Sequence, residues 1–263
     1  MLPKSERVLF NDAPVRLVIG QIRFPLLLKY SEGMFVAPFQ EALSDEYPAV
    51  SRENQVSFQI SGKVVSQTPG ETLLRFSSRD SRWSVVLGER ALTLEVRGYS
   101  AIDEFSRRFE KVLQGAGTHL KIKERQRLGL RYINEIRHPE GETLADWRRL
   151  LNPELVGFAG GDLLDAQVEH MAQEIQARRA DGVLGIRHGL LTGRVVEPLP
   201  DVEAPEGRFY LLDMDYYDAK AQPLDVAQTL VQVRNYNDVM YDFFRWSLSR
   251  ELFSYLKPEP LDE

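Results

Sequence analysis

Between Thr72 and Arg97 the chain offers three β-rich runs, Thr72–Ser78, Trp83–Leu87 and Ala91–Arg97, joined by very short links. Arg79-Asp80-Ser81 and Gly88-Glu89-Arg90 cannot carry a crossover helix, so the runs must lie side by side and antiparallel. A further run, Gln55–Ser61, precedes them, and Thr68-Pro69-Gly70 reads as the turn between. In the last run Leu92, Leu94 and Val96 point one way and Thr93, Glu95 and Arg97 the other. A sheet with one apolar face needs cover on that side only, and amphipathic helices must supply it.

Candidate helices are present in both halves. Phe35, Phe39 and Leu43 recur at four-residue spacing after a start at Ser31 or Gly33, and Tyr47-Pro48 stops them. Ser100 and Asp103 resemble a capping box ahead of Ile102, Phe105, Phe109 and Val112, with an end expected at Gly115 or Gly117. With a first strand over 14–24, residues 1–120 read as β-α-β-β-β-β-α. Residues 121–263 begin again with a strand, Glu124–Ile136. Thr143 and Asp146 then repeat the cap signal before Trp147, Leu150 and Leu151, and Asn152-Pro153 ends that helix. Leu164, Val168, Met171 and Ile175 have helical spacing, yet Asp181-Gly182 is a hairpin signal, and a hairpin over Val168–Leu191 is the preferred reading. A proline-rich acidic loop from Pro198 to Pro205 leads to the strand Phe209–Tyr217. One long helix, Leu224–Leu256, follows with a stripe of Val226, Leu230, Val233, Met240 and Phe244, and Pro258 closes it.

The predicted fold is therefore α+β: antiparallel sheet with helices on one face, in two tandem halves forming one compact unit. The order in each half is that of a TATA-box-binding-protein-like or helix-grip unit, as if duplicated, and such an analogy carries no function.

Composition narrows the function classes. The 33 Lys and Arg against 39 Asp and Glu give a net charge of −6, and the basic clusters (Arg107-Arg108, Arg148-Arg149, Arg178-Arg179) are only pairs. A nucleic-acid binder usually presents a basic domain or stripe, so that partner class is open but not favoured. With no cysteine, disulfides, thiolate metal sites and cysteine nucleophiles are excluded, which fits a reducing compartment. The first seven residues carry charges where a signal peptide needs an apolar run, and no stretch approaches the roughly 20 apolar residues of a membrane span. The expected setting is cytoplasmic, without a membrane partner.

The segment Arg127-Leu128-Gly129-Leu130-Arg131-Tyr132-Ile133-Asn134 resembles the signature of a sporadically distributed bacterial family of about this length. Gln21-Ile22-Arg23-Phe24-Pro25, the stretch from Phe39-Gln40-Glu41 to Tyr47-Pro48, and Leu212-Asp213-Met214-Asp215 are similar to its other recurring pieces. The resemblance implies the same fold and a bacterial cytoplasmic setting, and no chemistry.

The candidate chemistry is sparse. Asp213 and Asp215, two apart on a strand, share a face and can hold Mg²⁺ for phosphoryl or nucleotidyl transfer. The plainer reading is a strand face whose carboxylates pair with arginine, Arg131 being the bidentate partner if the two strands adjoin. Arg23 can play the same part in the first half, or join Arg131 in an anion-binding groove. His119, His138, His170 and His188 lack metal-ligand spacing, even if His170 and His188 meet across the hairpin. Gly157-Phe158-Ala159-Gly160-Gly161-Asp162 lacks the Lys-Ser/Thr of a phosphate loop and reads as a turn. The C-terminal helix has more aromatics than one stripe can bury; Tyr236, Trp246 and Tyr255 are candidates for a partner surface or homodimer seam. No motif calls for a cofactor or a metal. The sequence thus predicts a non-enzymatic binding or adaptor protein acting through a protein–protein surface, with metal-dependent transfer at Asp213 and Asp215, or a nucleic-acid-binding sheet, as alternatives.

Overall fold

The computed structural model describes residues 2–61, 64–199, 202–203 and 205–260. The first half runs β1 (Val8–Phe10), β2 (Val15–Arg23), α1 (Gly33–Leu43), β3 (Ala49–Ser61), β4 (Val64–Ser77), β5 (Trp83–Leu87), β6 (Ala91–Val96) and α2 (Ile102–His119). The second continues with β7 (Glu124–Arg125), β8 (Arg127–Ile136), α3 (Leu144–Leu150), α4 (Pro153–Val156), β9 (Gln173–Arg179), β10 (Gly182–Thr192) and β11 (Arg208–Asp218). It closes with β12 (Gln222–Pro223), α5 (Val226–Ser247), α6 (Arg250–Tyr255) and β13 (Pro258–Pro260). Nine strands form one antiparallel sheet in the order β3-β4-β5-β6-β2-β8-β11-β10-β9. β2 and β8 pair at the middle of the sheet, and the later strands of each half return to them from the edges.

Cross-strand partners share a face. One lateral row runs Phe76, Val85, Leu94, Gly20, Leu130, Tyr216 and Leu184. The helices cover this face. Phe39 of α1 meets Phe76 edge-on, and Phe105 of α2 packs at a tilt on Trp83. Tyr236 of α5 stacks on Tyr216, and Trp147 of α3 packs at a tilt on Tyr210. Phe105 also lies over Gly20, where a Cβ would stand 2.7 Å from the ring, so only glycine lets the helix settle this close. The opposite face carries Arg75, Glu95, Arg127, Arg131, Asp213 and Asp215, and stays polar. One-sided cover, as expected, is what positions the site.

Several local expectations need correction. The turn expected at Thr68-Pro69-Gly70 lies inside β4, which is bulged there: Asn54 pairs with Thr72 and Val56 with Pro69. β5 pairs with β4 only along Leu74–Ser77, so at Pro69 β4 has β3 alone beside it, the edge or bulge setting in which strand proline is found. Ser100 does not cap α2; Ala101 holds the N-cap without a side-chain bond, and Ser100 Oγ donates to Glu104 instead. Nor do Gly115 and Gly117 end it. Gly115 is buried against the ring of Phe39, a packing role, and the helix runs on to His119 before Lys121 turns the chain at φ 57°.

The strand expected over Glu124–Ile136 is split at Gln126, and β7 leaves the main sheet to pair with β12. The long C-terminal helix is also two, because Ser249 accepts a bond from Leu252 N and starts a new helix, α6. Thr143 and Asp146 do form a full capping box on α3. The hairpin reading prevails over the helical one, as β9 and β10 pair from Gln173 with His188 to Arg179 with Gly182. The glycine-rich segment forms a 3₁₀ turn, Gly157–Gly160.

His188 gives the fold a pH response. It is 2% exposed, its Nδ1 is 2.8 Å from the Tyr210 hydroxyl, and its Nε2 has no partner among the described residues. Burial pushes its pKa below the ordinary histidine value. The unfolded chain therefore takes up a proton that the folded one refuses, and stability falls as pH drops below about 6.5. Urea midpoints at pH 8 and pH 5 should differ more for the wild type than for His188→Gln; equal differences would contradict this.

Candidate functional site

The open face of the sheet gathers the four residues singled out from the sequence. Arg23 (β2), Arg131 (β8), Asp213 and Asp215 (β11) line one shallow groove of about 360 Å³, with Gln21, Arg127, Glu174, Gln176, Arg187 and Tyr217. Alternation places them there: on β8 the residues Arg127, Gly129 and Arg131 face away from the helices while Leu128, Leu130 and Tyr132 are buried beneath them.

The strands do adjoin, and Arg131 grips Asp213 with both arms of its guanidinium: Nε donates to Oδ1 at 2.7 Å and Nη2 to Oδ2 at 2.6 Å. This fork-on-carboxylate geometry is the strong form of the ion pair. Asp213 is 4% exposed and Arg131 more open. Arg127 Nη2 donates to Asp215 Oδ2 at 3.0 Å, and its guanidinium lies over the Tyr217 ring at 4.5 Å. Burial raises the Asp215 pKa above the usual carboxylate value, against the opposing pull of Arg127 and Arg131. Arg187 stands directly across from Asp213 and 3.8 Å from Glu174.

Gln21, Arg127, Glu174, Gln176, Arg187 and Tyr217 join the groove without having been candidates from the sequence. Arg127 reaches its place together with Gly129. The two are one device, since a Cβ at Gly129 would stand 2.4 Å from Arg127 Nη1. The glycine leaves a floor across which Arg127 reaches Asp215. The spacing Arg-Leu-Gly on an alternating strand was the available signal: the glycine vacates the very face its neighbour arginine uses.

Arg23 differs from the rest. It stands opposite Arg127 in the ladder, is exposed, and has no carboxylate within ion-pair distance among the described residues. The groove lining holds four arginines (Arg23, Arg127, Arg131, Arg187) and three carboxylates (Glu174, Asp213, Asp215), leaving one cation over. Chemically this is a pre-ordered polar surface with one guanidinium ready for an anion. As a metal site it is poorly disposed, because both aspartates already serve guanidinium groups. Among the described residues no group of three His, Asp or Glu side chains could hold a metal ion.

The C-terminal aromatics divide. Tyr236 is fully buried, stacked on Tyr216 and donating to Asp218 at 3.0 Å, so it is core and not a partner surface. Its hydroxyl was wanted inside by a buried carboxylate, which helical spacing could not reveal. Trp246 is half-buried against Phe243, and Tyr255 is 42% exposed with its ring on His138. Among the described residues no helix is long and apolar enough to cross a membrane. No protein-family model matches the chain, and neither the curated proteins nor the solved structures contain a match.

Proposed function

We propose that this chain is a non-enzymatic binding protein of the bacterial cytoplasm, and that the open face of its sheet is the recognition surface for a protein partner presenting carboxylates. The observation that carries the reading is Arg23: an exposed guanidinium beside a lattice of paired charges that hold one another in place. Paired charges that are already ordered cost little further entropy on docking, so they give register and specificity. Gln21 and Gln176 add neutral donors and acceptors around the same groove. A polyanion such as nucleic acid fits less well, because the net charge of −6 repels it at long range and three carboxylates lie in its path. Metal-dependent transfer at Asp213 and Asp215 is disfavoured by energy, since a cation must first displace Arg131 and Arg127 from them. The bacterial setting rests on the family resemblance along β8 and its companions.

Anisotropy of a labelled octaglutamate peptide tests the proposal. The peptide should bind with an affinity that falls as salt rises, and Arg23→Glu should weaken it by roughly five- to tenfold, as for reversal of one exposed charge. A single-stranded oligonucleotide of equal length should bind more weakly than the peptide. Peptide binding that ignores Arg23→Glu, or an oligonucleotide that binds more tightly, would sink the proposal.

A further inference from the structure

On the helix side a second and larger space opens, about 910 Å³. Its floor is Tyr132, Asn134 and Met214 of the sheet; one wall is α5 from Arg234 to Phe244, another the turn from Arg97 to Asp103. The N-terminal segment crosses it as a strap. Arg7 Nη1 donates to Asn237 at 2.9 Å and its guanidinium pairs with Asp238, while Val8 N donates to the Tyr241 hydroxyl at 2.8 Å. Arg7 also lies over the Tyr241 ring at 4.2 Å. At the far end of the strap, β1 pairs with β13. The strap is thus tied at both ends across a largely apolar space.

Most charges lining the cavity are paired. Arg7 pairs with Asp238, and Arg234 with Asp103. Glu135 accepts from the backbone N–H groups of Val195 and Val196 at 2.7 and 3.0 Å and has Arg16 and Arg137 beside it. Glu197 pairs with Arg194. Among the described residues Arg97 alone of the charged lining has no opposite charge: its Nε is buried without a partner, in a residue held in the fold by its backbone bond to Arg82. A cavity of this volume, mostly apolar and with a few convergent polar groups, is the usual form of a small-molecule site. Beside the apolar walls a chain of donors runs from Asn237 Nδ2 to the Tyr132 hydroxyl at 2.8 Å and on to Tyr99 at 3.1 Å.

We propose that this cavity binds an amphipathic carboxylate, its apolar body against Val8, Phe10, Ile102, Met214 and Phe244 and its anionic head on Arg97. The complement is specific, because an apolar neutral molecule leaves the Arg97 guanidinium unmet and a polyanion cannot enter the apolar part. The cavity shares no lining residue with the Arg23 groove and does not depend on that reading.

Calorimetric titration with dodecanoate below its micelle concentration, and with dodecanol, decides the matter. Wild type should take up one dodecanoate per chain, and Arg97→Gln should weaken dodecanoate by roughly tenfold, as for loss of a charge-assisted contact, while dodecanol binding moves little. Ile102→Trp, which fills the space from the first turn of α2, should abolish both; if it fails to fold, the Arg97→Gln comparison stands alone. Arg23→Glu should leave both ligands unaffected. Absence of binding to the folded wild type, or equal loss of dodecanoate and dodecanol in Arg97→Gln, would overturn the inference.

Discussion

Asp218→Ala is expected to lower the stability of the protein by about 3–5 kcal/mol, the cost of stranding one partner of a buried ion pair. Asp218 and Arg125 have side-chain exposures of 1% and 2%, and Arg125 Nη1 lies 3.1 and 3.0 Å from the two carboxylate oxygens. The carboxylate also accepts from Lys220 N at 3.0 Å, Gln232 Nε2 at 2.8 Å and the Tyr236 hydroxyl at 3.0 Å. Burial and the neighbouring carboxylate drive the Tyr236 pKa far up, so its hydroxyl stays a donor. Gln222 and Gln232 accept from Arg125 Nη2 and complete the network. Alanine would remove the acceptor of four donors at once and leave a guanidinium in the interior.

Urea denaturation gives the number, and a cycle with Arg125→Met isolates the pair. The double variant Arg125→Met, Asp218→Leu should recover a large part of the loss, because two apolar side chains of similar volume need no partners. A single-variant loss under about 1 kcal/mol, the range of an exposed pair, would show that water reaches the network.

Trp147→Ala should cost a comparable amount, about 3–5 kcal/mol, for a large aromatic removed from a full core. Trp147 is completely buried, its Nε1 donates to the Gly141 carbonyl at 2.9 Å, and its ring packs on Tyr210 at 5.3 Å between centroids. Gly141 lies so close that a Cβ there would stand 2.7 Å from the indole. The loop before α3, the helix and the sheet are thus pinned by one side chain. Trp147→Phe keeps most of the volume but loses the donor, and should cost distinctly less. If both variants melt together in urea, the hydrogen bond and not the packing is the dominant contribution.

The same region shows why parts of the fold were legible. The capping box of Thr143 and Asp146 is local, with both bonds closed within three residues, so its spacing alone announces it. The antiparallel meander was legible for the same reason: links of three residues leave a strand nowhere else to go. Failures occurred where a distant partner decided the outcome. Pro69 looks like a turn until β4 is found to have only β3 beside it there. Gly115 looks like a helix end until Phe39 is found resting on it.

In the candidate site, the Arg131–Asp213 clamp was within reach because alternation gives the face and adjacency was the one assumption. The Arg125 network was not, since Arg125, Asp218, Gln222, Gln232 and Tyr236 come from β7, β11, β12 and α5. Nothing in a linear pattern marks an arginine that will be buried. The large cavity was equally invisible, being a gap between elements and not a property of any one.

The pairing of β2 with β8 has a consequence for how this molecule comes into being. The central seam joins positions more than a hundred residues apart, so the N-terminal half, made first, holds a raw hydrogen-bonding margin at β2 until β8 arrives. Closing that seam carries the entropy cost of a long loop, and severing the chain near its midpoint should yield two sticky pieces, each the other's missing neighbour.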